Sequence, residues 1–404
     1  MSVPVDPGGR LVGLIRAALP ADRTIGVALS GGGDSTALLH LCLRAGCRVE
    51  AVTVDHRLRA ESAAEAAAVG EVCRALGVRH EVRVWTHGVV PGNLMDAARR
   101  ARTGLIRDWA LSRGIGVVAL GHTQDDVAET VLMGLARSAG VAGLSGMRSA
   151  WDENGVRFVR PLLAAGRSEL RDWLRAKAIG WVDDPTNEND RFARVKARKA
   201  LALLAPLGIT ARTLAEVAGN LAQVQAALAV QVADAAGALV REDSGALWLE
   251  PALWAEPVEV QRQIVVAGVL WLSGAEYAPR AAELARLMDA LRAGRDATLA
   301  GCRARQGWLM KEPRAVGPAV PVGAVWDGRW LVEGPECEGP EGEVRALGAD
   351  GLRQVKDWRK AGLPREVLLV TPGVWEGDRL RAAPGAGLSA GWTAHLQRPF
   401  ILRR

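Results

Sequence analysis

Three polar clusters in the first third of the chain are of the residue types and spacing that do chemistry. The first is Ser30-Gly31-Gly32-Gly33-Asp34-Ser35-Thr36. Consecutive glycines lose much conformational freedom on ordering and pack no side chain, so they suit backbone that turns sharply and comes close to something. The hydroxyls of Ser30, Ser35 and Thr36, with the first N–H groups of a following helix, offer donors to an anion, a phosphate above all. No lysine follows the glycines as in a Walker A loop, and the spacing is not the Gly-x-Gly-x-x-Gly of dinucleotide folds. The plainer reading is a tight connection in which Ser35 caps a helix. A second cluster is Asp55-His56-Arg57-Leu58-Arg59. Asp55 there is open to two roles, capping the turn or accepting from a ribose or an adenine amino group, while His56 and Arg59 suit phosphate or substrate. The third cluster runs from Gly121-His122-Thr123-Gln124-Asp125-Asp126 to Glu129-Thr130. Thr123 as an N-cap with Asp126 three residues on makes a capping-box variant, which accounts for those two but not for His122 or the second acid, Asp125.

The elements that must position these clusters read as alternating strand and helix. A short helix is expected at 11–18. Apolar runs predict strands at 25–29, 49–54, 81–85 and 116–120, with helices up to about 44 and at 61–76, 94–113 and 125–136. Such alternation implies a parallel sheet covered on both faces, whose ligands bind at the carboxyl ends of the strands where the strand order reverses. The loops after the first, second and fourth strands are therefore the ones expected to react, and they hold the three clusters. Arg99 and Arg102, three apart on the helix at 94–113, share a face and suit phosphate or a nucleic-acid backbone; solvation is the alternative.

Two or three domains are expected of 404 residues that are 49% apolar and 24% charged. The net charge of +6 permits a polyanionic partner without requiring one. Residues 157–199 hold eleven Lys or Arg against six Asp or Glu, and Phe158, Trp173, Trp181 and Phe192 are interleaved among them. That mixture suits RNA, although a surface helix at 168–178 with Trp173 in the core is the alternative. The five cysteines, Cys42, Cys47, Cys73, Cys302 and Cys337, form no Cys-x-x-Cys pair and suggest neither a zinc site nor a disulfide framework, so reduced thiols in a cytoplasmic protein are expected. The amino terminus lacks a basic-then-apolar signal and no run of eighteen apolar residues occurs, so no membrane role is expected. Residues 209–240 turn alanine-rich with helical spacing, a helix is expected at 279–293 and strands near 298–309. Beyond 316 the chain reads as β-rich, with 367–370 taken as a strand.

Ser-Gly-Gly-x-Asp-Ser resembles the loop of the PP-loop ATP pyrophosphatases. The later motifs sharpen the resemblance to the lysidine-forming branch of that family. In order they are Asp55-His56-x-Leu58-Arg59, Asn93 to Arg102 with Ala98-Arg99-x-x-Arg102, Gly121-His122-x-x-Asp125-Asp126-x-Ala128-Glu129-Thr130, Gly143-Leu144-x-Gly146-Met147, Arg160-Pro161-Leu162-Leu163, and Trp181 to Asn187 followed by Arg191, Arg194 and Arg198. Together they cover roughly residues 25–200. Thr103 stands where relatives commonly carry an aromatic, and Lys196 where many offer Asn or Arg. The resemblance implies an α/β fold with a Rossmann-like doubly wound parallel sheet in a catalytic domain at 1–208. A mostly helical, tRNA-contacting domain at 209–315 and a small β-rich domain at 316–404 would follow. It implies ATP and Mg²⁺, with L-lysine and an isoleucine tRNA bearing a CAU anticodon as partners, and a homodimer. Ser30, Gly31, Gly32, Gly33, Asp34, Ser35, Asp55 and His122 would hold ATP. Asp34, Asp126 and Arg102 would be catalytic, with Asp34 and Asp126 on the metal or, alternatively, on ATP or lysine. His56, Arg59, Arg99, Asp125, Glu129, Arg191, Arg194 and Arg198 would meet the substrates, Asp125 and Glu129 competing for the lysine ammonium. The rival readings are a PP-loop tRNA thiolase, for which positioned cysteines are lacking, and a non-catalytic nucleotide-binding module, which would not need these acids.

Overall fold

The computed structural model describes residues 7–57, 62–88, 94–182, 193–335 and 342–402. Arg59, Arg191, Asn93, Phe192 and the segment 183–187 lie outside the described residues. The chain divides into two compact units, 1–225 and 226–404.

The first unit alternates as its apolar periodicity requires. Helix α1 (Pro7–Ala18) precedes β1 (Thr24–Ala28), α2 (Gly33–Arg44), β2 (Arg48–Asp55), α3 (Ser62–Ala75), β3 (Arg79–Val84), α4 (Leu94–Ser112), β4 (Val117–Leu120) and α5 (Gln124–Leu135). There follow α6 (Val141–Leu144), the hairpin β5 (Ala150–Glu153) and β6 (Val156–Val159), then α7 (Arg167–Ala176), α8 (Ala193–Leu204) and α9 (Ala211–Leu239). The sheet order is β3-β2-β1-β4-β6-β5, parallel except for the β5 edge. Strand side chains alternate between faces, and each face has its own core. Ile25 and Val27 of β1 join Leu38, Leu41 and Trp173 under α1, α2 and α7. Ala28 faces the other way with Val118, Ile106 and Trp109 of α4. Strand order reverses between β1 and β4, so the loops leaving those two strands open side by side at the sheet's carboxyl edge.

One element of this unit was not expected, and one open alternative is decided. The β5–β6 hairpin was not foreseen, and it takes up Phe158, which is fully buried and stacked on Trp151 with ring centroids 5.0 Å apart. Trp173 is buried in the α7 face of the core. Neither ring is therefore open to an RNA base; α7 is the amphipathic helix of the alternative reading.

In the second unit, β7 (Val240–Asp243), β8 (Ala246–Leu249), β9 (Ala297–Leu299), β10 (Cys302–Arg305) and β11 (Trp308–Lys311) form an antiparallel sheet in the order β7-β8-β11-β10-β9. It packs with helices Val258–Ser273 and Ala281–Arg292 around Leu247, Ile264, Val269 and Leu287. Beyond 316 come a four-stranded and a two-stranded sheet. Residues 367–370 are not a strand: a helix spans Arg365–Leu368, started by Pro364, whose fixed φ suits a helix entry, and the strand begins only at Pro372. Among the described residues no single helix is long and apolar enough to cross a membrane.

Candidate active site

The loop after β1 is braced by its own side chains. Ser35 lies at the third position of α2, where its Oγ accepts from the Ser30 N–H at 3.1 Å, donates to the Gly32 carbonyl at 3.0 Å and sits 3.0 Å from the Ser30 Oγ. Thr36 Oγ1 donates to the Gly31 carbonyl at 3.2 Å. Ser35 is thus not the helix cap; Gly32 is. Gly31 has φ +82°, and a side chain there would also strike Val69 at 2.8 Å. By contrast Gly32 has φ −70°, and a Cβ there would meet nothing nearer than 3.6 Å. The first N–H groups of α2 have no acceptor within the helix and carry the positive end of its dipole, which suits an anion in front of Gly32–Asp34. The loop after β4 comes close because position 121 is glycine. A Cβ there would stand 3.0 Å from the backbone N and Cα of Ser35.

From the two helices that follow these loops, α2 and α5, three carboxylates converge on one guanidinium, that of Arg167 at the start of α7. Its Nε donates to Asp34 Oδ2 at 3.2 Å, its Nη1 to Glu129 Oε1 at 3.0 Å, and its Nη2 lies 3.4 Å from Asp126 Oδ1. Its backbone N–H donates to Asp125 Oδ2 at 2.7 Å. Arg194 of α8 reaches Asp126 Oδ1 at 3.2 Å, and Arg198 reaches Glu129 Oε1 at 3.0 Å. Asp126 has the capping role expected of it and faces the arginines as well. Its Oδ2 caps α5 by accepting from the Thr123 N–H at 2.8 Å and hydroxyl at 2.9 Å, while Oδ1 faces the arginines. Asp126 and Glu129 are 6% and 1% exposed, so their charges depend on these partners.

The electrostatics separate the acids. Burial raises the Asp34 carboxyl above its ordinary value, only partly opposed by Arg167. Burial also opposes the Asp126 charge, but Arg167, the Thr123 N–H, His122 and Arg194 together hold that carboxyl below its ordinary value. The same acids hold the Arg167 guanidinium firmly protonated against its burial. Asp34 Oδ1 and Glu129 Oε2 are buried without a hydrogen-bond partner among the described residues.

A second ring of charge is positive. His122, at the end of β4, accepts at Nδ1 from Arg160 Nε at 3.0 Å, which leaves the imidazole proton on Nε2. Burial and the neighbouring Arg160 push its pKa down to about 3. Arg160 is held in turn by the Arg148 carbonyl at 2.6 Å and by the Trp151 ring, 4.3 Å from its guanidinium. Arg99 and Arg194 act on Arg102, and neither Arg99 nor Arg102 has an ion-pair partner among the described residues.

Of the residues singled out in the sequence, Ser30, Gly31–Gly33, Asp34, Ser35, His122, Asp125, Asp126, Glu129, Arg194 and Arg198 come together at the carboxyl edge. Asp55, Asp125, Arg194 and Arg198 have named protein partners in the structure. Asp55 Oδ1 accepts from the Arg57 N–H at 2.8 Å and the Ser62 hydroxyl at 2.7 Å, which is the capping role, and these bonds hold its carboxyl below the ordinary value. One Asp125 oxygen, Oδ2, is occupied by the Arg167 backbone N–H. Arg194 and Arg198 enter the carboxylate cluster. His56 packs edge-on to Trp85, 5.9 Å between centroids, and burial keeps it below the ordinary imidazole pKa. Arg167, the hub, was missed. The signal was a basic residue opening a predicted helix, where a cation opposes the dipole unless acids surround it.

Comparison with known proteins agrees with this geometry. A PP-loop domain model matches residues 12–204. A tRNA(Ile)-lysidine synthase of Ruegeria pomeroyi is 48% identical over 399 residues, 96% of this chain and 95% of that one. The chain belongs to the tRNA(Ile)-lysidine synthase family. Members from Mesorhizobium japonicum and Brucella anthropi are 38% and 34% identical, over 75% and 88% of this chain and 70% and 84% of theirs. The tRNA(Ile)-lysidine synthases are ATP-using ligases, and the loop before α2 lies within the matched PP-loop domain.

Proposed function

We propose that this chain joins L-lysine to carbon 2 of the wobble cytidine of an isoleucine tRNA with a CAU anticodon, by way of an adenylated tRNA, releasing AMP and pyrophosphate. The observation that carries the reading is the meeting of Asp34, Asp126 and Glu129 on Arg167 beside a self-braced phosphate loop. The cytosine O2 attacks the α-phosphorus of ATP and the bond to the β-phosphate oxygen breaks. Charge then accumulates on the pyrophosphate, where the α2 N–H groups and the hydroxyls of the loop are directed. The lysine amine next attacks carbon 2, AMP leaves with the oxygen, and the nitrogen gives up a proton. Arg99 and Arg102, which have no ion-pair partner among the described residues, are available to the RNA backbone.

A divalent cation fits the donors present. Mg²⁺ takes hard oxygen ligands, commonly one or two carboxylates with substrate phosphates, and Asp34 Oδ1 and Glu129 Oε2 are buried acceptors without a partner among the described residues. Asp34 and Asp126 would hold Mg²⁺, which when bound would neutralise the leaving pyrophosphate. In this reading residues 1–208 are the catalytic domain, 209–315 a tRNA-contacting domain and 316–404 a β-rich one, in a cytoplasmic protein that forms homodimers.

The test is incubation with ATP and radiolabelled lysine, with and without the CAU tRNA. Label in RNA that requires both ATP and that tRNA is expected. ATP cleavage to AMP with no lysine in the RNA would refute the reading.

A further inference from the structure

The second unit contains a cleft of about 630 Å³ walled by indoles and guanidinium groups. Its floor is a row across three neighbouring strands. Arg241 of β7 lies opposite Trp248 of β8, which lies opposite Trp308 of β11, so the three share one face of the sheet. The Trp248 and Trp308 rings are 5.5 Å apart at 54°, and the Arg241 guanidinium stands 6.0 Å from the Trp308 ring. The opposite wall is Trp358, with the Arg359 guanidinium 4.5 Å over its ring, and Arg365 completes the rim. Trp308 is buried, Trp248 and Trp358 are half-buried, and the three arginines are exposed.

Packing alone accounts for the buried indole but not for the arginines. Surface cations nearby are matched with acids: Arg353 with Asp350, Lys360 with Asp357 and Arg305 with Glu366. Arg241, Arg359 and Arg365 have no carboxylate partner among the described residues. Unpaired guanidinium groups around accessible indole faces match a flat base carried on a charged backbone, for which stacking and phosphate attraction act together.

We propose that this cleft takes an unpaired nucleotide of an RNA strand, the base against the indoles and the adjoining phosphates against Arg241, Arg359 and Arg365. The inference rests on the reading that the substrate is RNA. A continuous duplex keeps its bases stacked inside and is excluded.

The test is equilibrium binding of the full chain to a labelled six-nucleotide RNA and to labelled tRNA at several salt concentrations. Wild type is compared with Trp358→Ala and with the triple variant R241Q/R359Q/R365Q. Both variants should bind the hexamer and the tRNA about tenfold or more weakly. The triple variant should also lose up to about three units of salt slope, and ATP affinity should stay the same. The triple variant leaves every indole in place, so it tests the cleft even where Trp358→Ala disturbs packing. Removing the unpaired 3′ nucleotides of the tRNA abolishes the difference between variants if a strand end enters, and preserves it if a loop does. Either result supports the cleft and identifies the source. Unchanged affinity and slope in the triple variant would overturn the proposal, as would a blunt RNA duplex competing as well as the hexamer. Lysine transfer is scored separately. Hexamer binding without any transfer refutes the enzymatic reading alone, and normal transfer with an unchanged KM for tRNA in the triple variant refutes the cleft alone.

Discussion

The phosphate loop and the carboxylate cluster lie side by side but are built on opposite principles. The loop is local: Ser30, Gly31, Gly32, Ser35 and Thr36 hold one another across at most five residues, through the Ser35 and Thr36 hydroxyls on loop backbone. The cluster is assembled over long range, with Asp34 and Arg167 separated by 133 residues and Arg198 and Glu129 by 69. A local device tolerates loss of a side chain if its backbone stays put. A buried long-range charge network does not, because removing one member leaves the others uncompensated.

The sharpest way to break this comparison is Arg167→Ala. It strands buried Asp126 and Glu129, so lysine transfer should fall at least about a thousandfold and stability by about 3 kcal/mol or more in urea unfolding. A wild-type unfolding midpoint would mean the cluster is not the network described. Asp34→Ala comes next: turnover should fall about a hundredfold or more, with stability changed by less than about 1 kcal/mol, because burial already disfavours this charge. Wild-type turnover would remove Asp34 from the chemistry. Third, the loop itself is probed by a pair of substitutions. Gly31→Ala imposes an L-residue at positive φ against Val69 and should cost about 1–2 kcal/mol along with ATP affinity, whereas Gly32→Ala should leave the unfolding midpoint nearly unchanged. If the two variants behave alike, backbone conformation is not what the glycines supply.

Arg194→Ala with Arg198→Ala should reduce lysine transfer about tenfold, while the salt dependence of tRNA binding keeps its slope, since both arginines are paired with protein carboxylates. A slope lowered by about two units would return them to the RNA backbone. The smallest effect concerns acid. The depressed Asp126 carboxyl contributes stability that is present above the ordinary carboxyl pKa of 3.8 and is lost as pH falls through its folded value. Asp34, with a raised carboxyl, has the opposite sign and loses its contribution as pH rises from 3.8 through the folded value. Asp126→Asn should therefore be most destabilising near neutrality, and its deficit should shrink below about pH 4. A deficit independent of pH would mean the carboxylate charge is not what matters.

How much was legible in the sequence follows the same division between local and long-range. Strand and helix alternation, the loop before α2 and the capping role of Asp126 could be read because each depends on neighbours in the chain. The β5–β6 hairpin was also legible and passed over. Asn154-Gly155 takes the two left-handed conformations, φ +46° and +89°, that a tight hairpin turn demands. Arg167 could not be ranked above the other basic residues of 157–199, because what distinguishes it is three acids from two other helices. Residues 367–370 show a different failure: a run of apolar residues has no period to tell strand from helix, and Pro364 decided the matter.

The hydrogen bond from Arg160 to His122 has a consequence for how the enzyme meets changing surroundings. Imidazoles are the groups that ordinarily change charge between pH 5 and 8, yet His122 and His56 are both held toward the neutral form, His122 with a pKa of about 3. Near neutral pH the charge around the loop is therefore carried by guanidinium and carboxyl groups and not by His122. His122 thus brings no proton gauge into the carboxylate cluster between pH 5 and 8.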